Sequence, residues 1–295
     1  MMVRRIIKNT SLKLLIKAIM ITLDKPSFKG SNMAESSNRA FMYGESVFTT
    51  LRMVDGHLCD WEFHFDRLIK GVNFVYGPFL ESEDWIKGLK NRLEDCVQSI
   101  SGEQVIRLSV YTEQTRGLVR PGITSVHDLR IHHSVTPHLT ENKMLNLRSC
   151  PAPIRPEWWP QFLKAGSYLE TILSQKQHLK AGDDEVLFLG VGQIVLESAV
   201  ANIFVVRNNK LYTAPTGPQV LDGVMRKKVI KEAGHFFGSV EESALSIGEL
   251  FKAEAVFGTN SVRGPFLIQK VDDHYFDYSQ TFLSNFENLR KRVMT

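Results

Sequence analysis

A proline-rich segment divides this chain into two parts and constrains its fold more than any other sequence feature. Residues 137–160 contain five prolines and the pair Trp158-Trp159. Proline cannot continue a helix or donate a hydrogen bond within a sheet, so we expect regular structure on either side of this segment. We therefore predict a boundary near residues 137–143, with one domain over residues 20–140 and a second over 141–295. A chain of 295 residues is long enough to form two domains with ordinary cores.

The first part of the chain reads as strands and helices in the order ββααββ. Residues 39–58 are predicted to be β structure, because the run SVFTTLRMV is rich in β-branched and aromatic residues and Asp55-Gly56 is a hairpin signal. The helical spacing of apolar residues predicts helices at about 62–76 and 83–100, and two further strands are expected at 105–112 and 128–136. This order indicates a small α+β domain.

Short strands dominate the second part of the chain. They are expected at residues 144–150, 185–189, 193–196, 202–206, 210–213 and 254–257. Helices are expected from about residue 168, at 225–237 and at 279–292, with a turn and a short helix at 243–251. The predicted fold class is therefore α+β, with a small N-terminal domain and a larger, β-rich C-terminal domain that also carries helices.

The charge of the chain is concentrated at its N-terminus. The formal net charge is +4, but residues 1–19 contain five basic and no acidic residues, so the remainder is close to neutral. We therefore do not expect a nucleic-acid partner. The apolar run in this basic N-terminal extension is interrupted by Lys13 and Lys17 and is too short and too charged to span a membrane. It could be an amphipathic surface helix, a targeting segment, or an extension that precedes a true start at Met20.

Cysteine and histidine usage gives no sign of a disulfide framework or a metal site. Cys59, Cys96 and Cys150 are far apart and form no CxxC pair, which fits a reducing compartment and leads us to expect a cytoplasmic protein. The pair His132-His133 lies on an alternating strand, so one ring should face the core and the other should face outward. We expect no metal.

Two residues of the second part have side chains suited to cofactor chemistry. Lys164 lies where the proline-rich segment changes to a helical pattern, and Glu197 ends the alternating run QIVL. A buried lysine can form a Schiff base, and a buried carboxylate can hold a proton on a ring nitrogen. Taken singly, Lys164 reads as a solvated lysine at a helix start, and Glu197 reads as an outward-facing strand residue. The motifs around them decide between these interpretations.

A series of short motifs extends over residues 38–261. The motifs are RAFMYGESVF from Arg39, HFDRL from His64, KAGSY from Lys164, GQIVLE from Gly192, NIF from Asn202, GVMR from Gly223 and GTN from Gly258. In order and spacing they resemble the class IV (fold type IV) pyridoxal phosphate enzymes. This family includes branched-chain and D-amino-acid aminotransferases and 4-amino-4-deoxychorismate lyases. The resemblance implies a two-domain fold type IV structure, pyridoxal 5'-phosphate as cofactor, a small-molecule amine as substrate, and a homodimer.

The resemblance also implies roles for individual residues. Lys164 would be the catalytic lysine that binds the cofactor as a Schiff base and moves a proton at the substrate carbon. Glu197 would pair with the pyridine nitrogen, and Arg67 would bind the cofactor phosphate. The remaining cofactor contacts would come from the backbone N–H groups of Val224 and Met225, the hydroxyl of Thr259, and Asn260. The role of Tyr168 is left open.

Residues of the first domain indicate which reaction is catalysed. The run Phe48-Thr49-Thr50 resembles the lyases, whereas the aminotransferases more often carry a glutamate where Thr49 stands. The stretch QTRG, which contains Arg116, is similar to a Gly-Arg-Gly stretch of the lyases. Arg116 or Arg107 could bind a substrate carboxylate, and Tyr43 and Thr49 are further candidate substrate contacts.

Three functions follow from these features. The first is a 4-amino-4-deoxychorismate lyase of the folate pathway, which produces 4-aminobenzoate and pyruvate. The alternative is an aminotransferase for D-amino acids or branched-chain amino acids. The third is a catalytically inactive homologue that only binds the cofactor, and the presence of Lys164, Glu197 and Arg67 argues against it. The sequence favours the lyase.

Overall fold

A four-stranded antiparallel sheet forms the first part of the structure. The computed structural model describes residues 38–77, 87–88, 90–91, 95, 101–112, 129–138 and 143–294. The strands of the first sheet lie in the order β2-β1-β3-β4. Its elements are α1 (Arg39–Tyr43), β1 (Val47–Val54), β2 (His57–Leu58), α2 (Trp61–Tyr76), β3 (Glu103–Thr112) and β4 (Leu129–Pro137). Residues 87, 88, 90, 91 and 95 are also helical, within the range predicted for the second helix.

Helix α2 covers one face of this sheet. Alternate residues of β1, beginning with Val47, point toward α2 and form a core with Phe65, Leu68 and Val72 of the helix. The turn between β1 and β2 is made by the predicted pair Asp55-Gly56. Both residues have positive φ, 46° and 78°, as a tight hairpin turn requires. The hydrophobic pattern and the turn signal therefore predicted this hairpin and helix correctly.

The predicted β structure over residues 39–58 is wrong at its beginning, where the chain forms the short helix α1. The side chain of Asn38 accepts a hydrogen bond from Phe41 N at 2.7 Å and caps the helix, and Gly44 ends it in the left-handed conformation with φ 69°. These two capping residues decide the local conformation, although the side chains between them favour neither helix nor strand strongly.

The second part of the structure contains a nine-stranded sheet among the described residues. Its path is β10-β9-β8-β11-β12-β5-β6-β7, β13 pairs with β12, and an additional pairing of β7 with β8 closes six of the strands into a ring. The strands are β5 (Leu145–Pro151), β6 (Glu185–Leu189), β7 (Val195–Ser198), β8 (Asn202–Arg207), β9 (Lys210–Thr213), β10 (Ser239–Glu242), β11 (Ala255–Asn260), β12 (Gly264–Val271) and β13 (His274–Tyr275). The helices are α3 (Leu169–His178), α4 (Val224–Ala233), α5 (Ile247–Leu250) and α6 (Gln280–Met294).

The two faces of β8 belong to two different hydrophobic clusters. Ile203 and Val205 point into the core enclosed by the ring of strands. Phe204 and Val206 point outward and pack with residues of α4 and α6, and the Phe204 ring stacks on Phe257 of β11 with centroids 5.2 Å apart. Because β8 is buried on both faces, its sequence is a continuous apolar run. Glu197, Asn202 and Thr259 are held in one row across this rigid region.

Several predicted boundaries in the second part change. The strand expected at 193–196 is β7, which begins later because Val191–Gln193 form a 3-10 turn with Gln193 at φ 62°. Glu197 therefore lies within a strand rather than after one. Residues 258–260 lie inside β11 rather than beyond it, and β10, β12 and β13 were not predicted. The sequence gives little sign of these strands because β10 and β13 are very short and β12 begins with Gly264-Pro265.

The two sheets are connected by polar contacts. Arg52 of β1 donates to the carbonyl of Met294 at 2.7 Å, and Lys228 of α4 pairs with Asp60 at 2.8 Å. The domain division at residue 140 remains a prediction, and residues 1–19 lie outside the described part of the chain. None of the described helices has the length and hydropathy needed to cross a membrane.

Candidate active site

Lys164 is held between the two sheets by strand-like pairing with the start of β1. Phe48 N donates to the carbonyl of Lys164 at 2.9 Å, and Gly166 N donates to the carbonyl of Ser46 at 2.8 Å. A Cβ at Gly166 would lie 2.0 Å from the Ser46 hydroxyl oxygen, so the Ser46 side chain occupies the space that a side chain at position 166 would need. This pairing fixes the lysine on a rigid part of the structure.

The amine of Lys164 has an aromatic and largely neutral environment. Its Nζ donates to the Tyr168 hydroxyl at 3.2 Å and lies 4.9 Å from the centroid of the Phe48 ring. Lys164 makes no ion pair with any residue that the structure describes. An amine with no carboxylate partner remains available to a ligand. Tyr168, whose role the sequence left open, is the residue that orients it.

The carboxylate of Glu197 is anchored through one of its oxygens. Glu197 Oε2 accepts from Leu221 N at 2.8 Å and from Asn202 Nδ2 at 3.3 Å. Oε1 receives no hydrogen bond from the described residues. Burial raises the pKa of Glu197 to about 7, while the Leu221 N–H group and the cations of Arg155 and Lys164 oppose the increase. Glu197 is thus a positioned carboxyl group that would gain from a cationic N–H partner.

Arg67 is a buried cation on the inner face of α2. It is 6% exposed, and burial lowers its pKa to about 10, so it remains charged at neutral pH. One terminal nitrogen donates to the Thr49 hydroxyl at 3.1 Å and the other reaches the carbonyl of Asp222 at 3.5 Å. Its buried Nε has no hydrogen-bond partner. Arg67 forms no ion pair with a described carboxylate, which is unusual for a buried charge.

Thr49 supports Arg67 rather than facing an open space. It is 1% exposed, and its hydroxyl oxygen lies 2.8 Å from Nδ1 of His64 as well as 3.1 Å from Arg67. Two side chains therefore already occupy the polar atom of Thr49. A direct contact of Thr49 with the substrate stays a prediction.

The start of α4 lies beside Arg67 and Glu197. Gly223 precedes α4, and no side chain caps the helix, so the first N–H groups, including those of Val224 and Met225, have no intrahelical acceptor. A Cβ at Gly223 would lie 2.1 Å from the Asn202 amide oxygen, so glycine lets the chain pass this close to β8. Together with the buried Arg67, this helix end provides a positive environment for an anion.

Thr259 and Asn260 differ in whether their side chains are available to bind a ligand. Thr259 lies opposite Asn202 in the register of β11 and β8, is 1% exposed, and has a buried hydroxyl without a partner. Asn260 Oδ1 accepts from Val262 N at 3.0 Å and from Arg263 N at 2.8 Å, so its side chain stabilises the turn after β11. Thr259 is therefore the one of the two with a side chain free to bind a ligand.

The proposed substrate residues are only partly brought together. Arg107 of β3 is exposed and lies with its guanidinium carbon 3.5 Å from the centroid of the Phe48 ring, the ring that also contacts Lys164. Arg107 therefore borders the lysine. Tyr43 lies against Arg39, with the guanidinium carbon 4.8 Å from its ring centroid. Arg116 lies outside the described residues.

Several residues contribute to the site although the sequence did not assign them a role. They are Phe48, His64, Asn202, Tyr168 and Leu221. His64 and Asn202 lie within motifs, which was the available signal, but their contacts depend on pairings between distant segments. The described residues contain no group of three or more His, Cys, Asp or Glu side chains that could hold a metal.

The chain is similar to proteins of known family. Residues 46–271 match the family model of the class IV aminotransferases. A "Probable branched-chain-amino-acid aminotransferase" of Thermotoga maritima is 26% identical, covering 76% of this chain and 78% of that protein. The D-alanine aminotransferase of Bacillus licheniformis is 23% identical, covering 80% and 82%. A "Putative 4-amino-4-deoxychorismate lyase" of Legionella pneumophila is 25% identical with a TM-score of 0.75, covering 91% of this chain and 96% of that one.

Proposed function

The chain belongs to the class IV aminotransferase family of pyridoxal phosphate enzymes with the type IV fold, and on that premise we propose that it is a 4-amino-4-deoxychorismate lyase. The observation that carries this choice is the neutral side chain of Thr49 beside Arg67, at a position where the resemblance places a glutamate in the aminotransferases. The fold is similar to that of the protein named "Putative 4-amino-4-deoxychorismate lyase" and is compatible with either reaction. The products would be 4-aminobenzoate and pyruvate, which places the enzyme in folate biosynthesis.

The groups in the site fit pyridoxal 5'-phosphate. Arg67 offers a buried cation with an unpartnered nitrogen, Thr259 an unpartnered hydroxyl, and the start of α4 a set of N–H donors for the phosphate. Glu197 Oε1 would accept from the ring nitrogen, and Lys164 offers its amine to the aldehyde. When bound, the cofactor supplies a conjugated ring that accepts the electron pair released at the substrate carbon.

Different residues of the site would hold the cofactor, move the proton and orient the lysine. Glu197 keeps the proton on the ring nitrogen, since a carboxyl pKa raised by burial falls again beside a cation. With the cofactor bound, the amine of Lys164 would be the base that takes the proton from the substrate carbon. The Tyr168 hydroxyl, 3.2 Å from the lysine Nζ, keeps that nitrogen oriented between proton transfers.

In the lyase reaction, elimination follows removal of one proton. Lys164 takes the proton from the ring carbon that carries the amine. The bond between the neighbouring ring carbon and the ether oxygen breaks, and the ring becomes aromatic. The departing enolpyruvate gains a proton and becomes pyruvate, so no oxidant or reductant is needed. In a transamination the same lysine would return the proton to the cofactor side.

Arg107 is our candidate for binding a substrate carboxylate. It is the described arginine that borders Lys164, and it forms no ion pair with a described side chain. Its planar group of N–H donors matches a carboxylate in geometry and charge. We keep Arg116 and Tyr43 as further candidate substrate contacts from the sequence.

A second copy of the chain would complete the site. Helix α3, which directly follows Tyr168, has no buried residue, and its apolar residues Leu169, Ile172 and Leu173 are 64%, 52% and 52% exposed. Phe41 and Met42 of α1 add further exposed apolar surface. Such surface next to an active site is typical of an interface. We propose a homodimer in which these helices are covered.

Cysteine usage supports a cytoplasmic location for the proposed enzyme. Cys59 and Cys150 are both free thiols. Unpaired cysteines are typical of proteins from reducing compartments.

The lyase is tested by incubating the purified enzyme with 4-amino-4-deoxychorismate and measuring pyruvate and 4-aminobenzoate. We expect both products in equal amounts and none with the Lys164→Ala variant. A parallel reaction with D-alanine or a branched-chain amino acid plus 2-oxoglutarate tests the aminotransferase alternative, which is favoured by the similarity to two aminotransferases. Turnover only in the second reaction would reject the lyase. If borohydride left no cofactor attached to Lys164, both enzyme functions would be rejected in favour of an inactive homologue.

A further inference from the structure

A buried chain of three polar side chains connects β1 with α2 beneath the proposed phosphate site. Arg67 NH2 lies 3.1 Å from the Thr49 hydroxyl oxygen, which lies 2.8 Å from Nδ1 of His64. All three residues are at most 6% exposed. The sequence separations of 18 and 15 residues show that these contacts result from the packing of α2 on β1 and not from local geometry.

The hydrogen bonds of this chain meet at the Thr49 hydroxyl. Arginine can only donate, so the Thr49 oxygen accepts from Arg67. The same hydroxyl shares a hydrogen bond with Nδ1 of His64. Burial, assisted by the charges of Arg67 and Lys164, lowers the pKa of His64 well below its usual value, in agreement with a neutral ring. Nε2 of His64 is buried without a partner.

We infer that Thr49 and His64 position Arg67 for the cofactor phosphate without neutralising its charge. A carboxylate in place of Thr49 would hold the guanidinium equally well but would cancel much of its charge. The charge of the Asp222 carboxylate raises the pKa of Arg67, but this carboxylate pairs with Lys227 at 2.7 Å, and the hydrogen bond from Arg67 goes to the Asp222 carbonyl. The phosphate is then the anion that compensates Arg67.

This inference rests on the proposed role of Arg67, and it deepens that role. It makes Thr49 and His64 positioning residues that act on the phosphate alone. Their loss should weaken the binding of pyridoxal 5'-phosphate much more than the binding of pyridoxal, which has the same ring and aldehyde but no phosphate. A merely structural role would weaken both equally.

The test measures the dissociation constants of pyridoxal 5'-phosphate and pyridoxal for the apoenzyme by absorbance or fluorescence titration. Thr49→Val keeps the shape of the side chain and removes the hydroxyl, and His64→Phe removes the ring nitrogen that contacts Thr49. We expect each to reduce the preference for the phosphorylated form about 10-fold. Thr49→Ser keeps the hydroxyl and His64→Asn keeps a hydrogen-bonding group near it, so both should restore most of the preference.

His133→Phe is the matched control. His133 is also 1% exposed on the small sheet and also has an unpartnered Nε2, but it makes no hydrogen bond to Thr49 or Arg67. Its replacement should leave the preference unchanged. The inference is overturned if Thr49→Val and His64→Phe leave the preference intact, or if they weaken both ligands equally. Arg67→Gln removes the positive charge and tests the role of Arg67 itself. An unchanged preference for the phosphorylated form in that variant would reject the proposed binding of the phosphate by Arg67.

Discussion

The environment of the Glu197 carboxyl group favours a bound ligand but lowers the stability of the protein without one. Its backbone lies in β7, and Leu221 and Asn202 fix one of its oxygens. Burial raises its pKa from 4.5 to about 7. In the unfolded chain the same group ionises near its ordinary value. Folding of the apoprotein is therefore opposed at every pH at which the unfolded state is ionised, and the penalty grows between about pH 4.5 and pH 7.

Replacing Glu197 by glutamine should change apoprotein stability in a pH-dependent manner. Below about pH 4.5 Glu197 is protonated in both the folded and the unfolded protein, so its ionisation does not change the free energy of unfolding. As the pH rises from about 4.5 to 7, the unfolded state loses its proton first and the glutamate becomes destabilising, and above pH 7 the penalty is constant. Glu197→Gln apoprotein should therefore melt higher than wild type at pH 8, by roughly 3–5 °C.

Differential scanning calorimetry of the apoproteins at pH 5 and pH 8 measures this effect. The difference between the two proteins should be small at pH 5 and should be large only at pH 8. An equal difference at both values would show that glutamine acts through packing. Activity of the same variant should fall at least ~100-fold, because the positioned charge opposite the ring nitrogen is lost.

At the scale of elements, the close packing of α2 on β1 determines where Arg67 lies. A Cβ built at Gly71, one turn after Arg67 on α2, would lie 2.7 Å from Val47 Cγ1 of β1 and 3.5 Å from Leu163 Cδ1. Val47 and Leu163 are 1% and 5% exposed, so neither has space to move away. Leu163 precedes Lys164. The contact at Gly71 therefore helps to set the distance between Arg67 and Lys164.

Gly71→Ala should destabilise the protein although alanine is the better helix former. Higher helix propensity would stabilise by about 1 kcal/mol, but overpacking of a buried contact typically costs about 1–3 kcal/mol. We expect a net loss of about 1 kcal/mol in urea unfolding, together with weaker binding of pyridoxal 5'-phosphate. Gly248→Ala is the control, because that helical position has no atom closer than 4.0 Å. It should be neutral or stabilising. A stabilising Gly71→Ala variant would contradict the close packing.

Local sequence signals predicted individual helices and strands better than they predicted which of these elements pack or pair with one another. The hairpin at Asp55-Gly56 and helix α2 follow from turn chemistry and apolar spacing. The closure of the second sheet through β7 and β8 depends on register between distant strands, for which a single sequence gives no signal. For the same reason, the motifs identified Lys164 and Arg67 as candidates, but the contacts of Thr49 with His64 became apparent only from the packing of α2.

In the whole molecule, the site lies where the two sheets meet. Lys164 is paired with β1 of the first sheet, while Glu197 and Thr259 lie on the second. Asp222 joins them, since its carbonyl accepts from Arg67 and its N–H group donates to the carbonyl of Gln161 at 2.8 Å. Movement of one sheet against the other would separate Glu197 and Thr259 from Lys164. An interface that contacts both sheets would therefore limit this movement and keep the site residues together.

The proposed homodimer can be tested by disrupting the apolar face of α3. Ile172→Glu and Leu173→Glu place charges on a helix that directly follows Lys164 and Tyr168 and has no buried residue of its own. If a second copy covers α3, each variant should shift the enzyme toward monomer in multi-angle light scattering and reduce turnover at least ~10-fold, because a desolvated interface tolerates an unpaired charge poorly. Val191→Glu is the control, since Val191 is 99% exposed in the turn before β7 and should tolerate glutamate without loss of dimer or activity. A wild-type enzyme that is fully active as a monomer would instead mean that α3 faces solvent and that one chain forms the complete site.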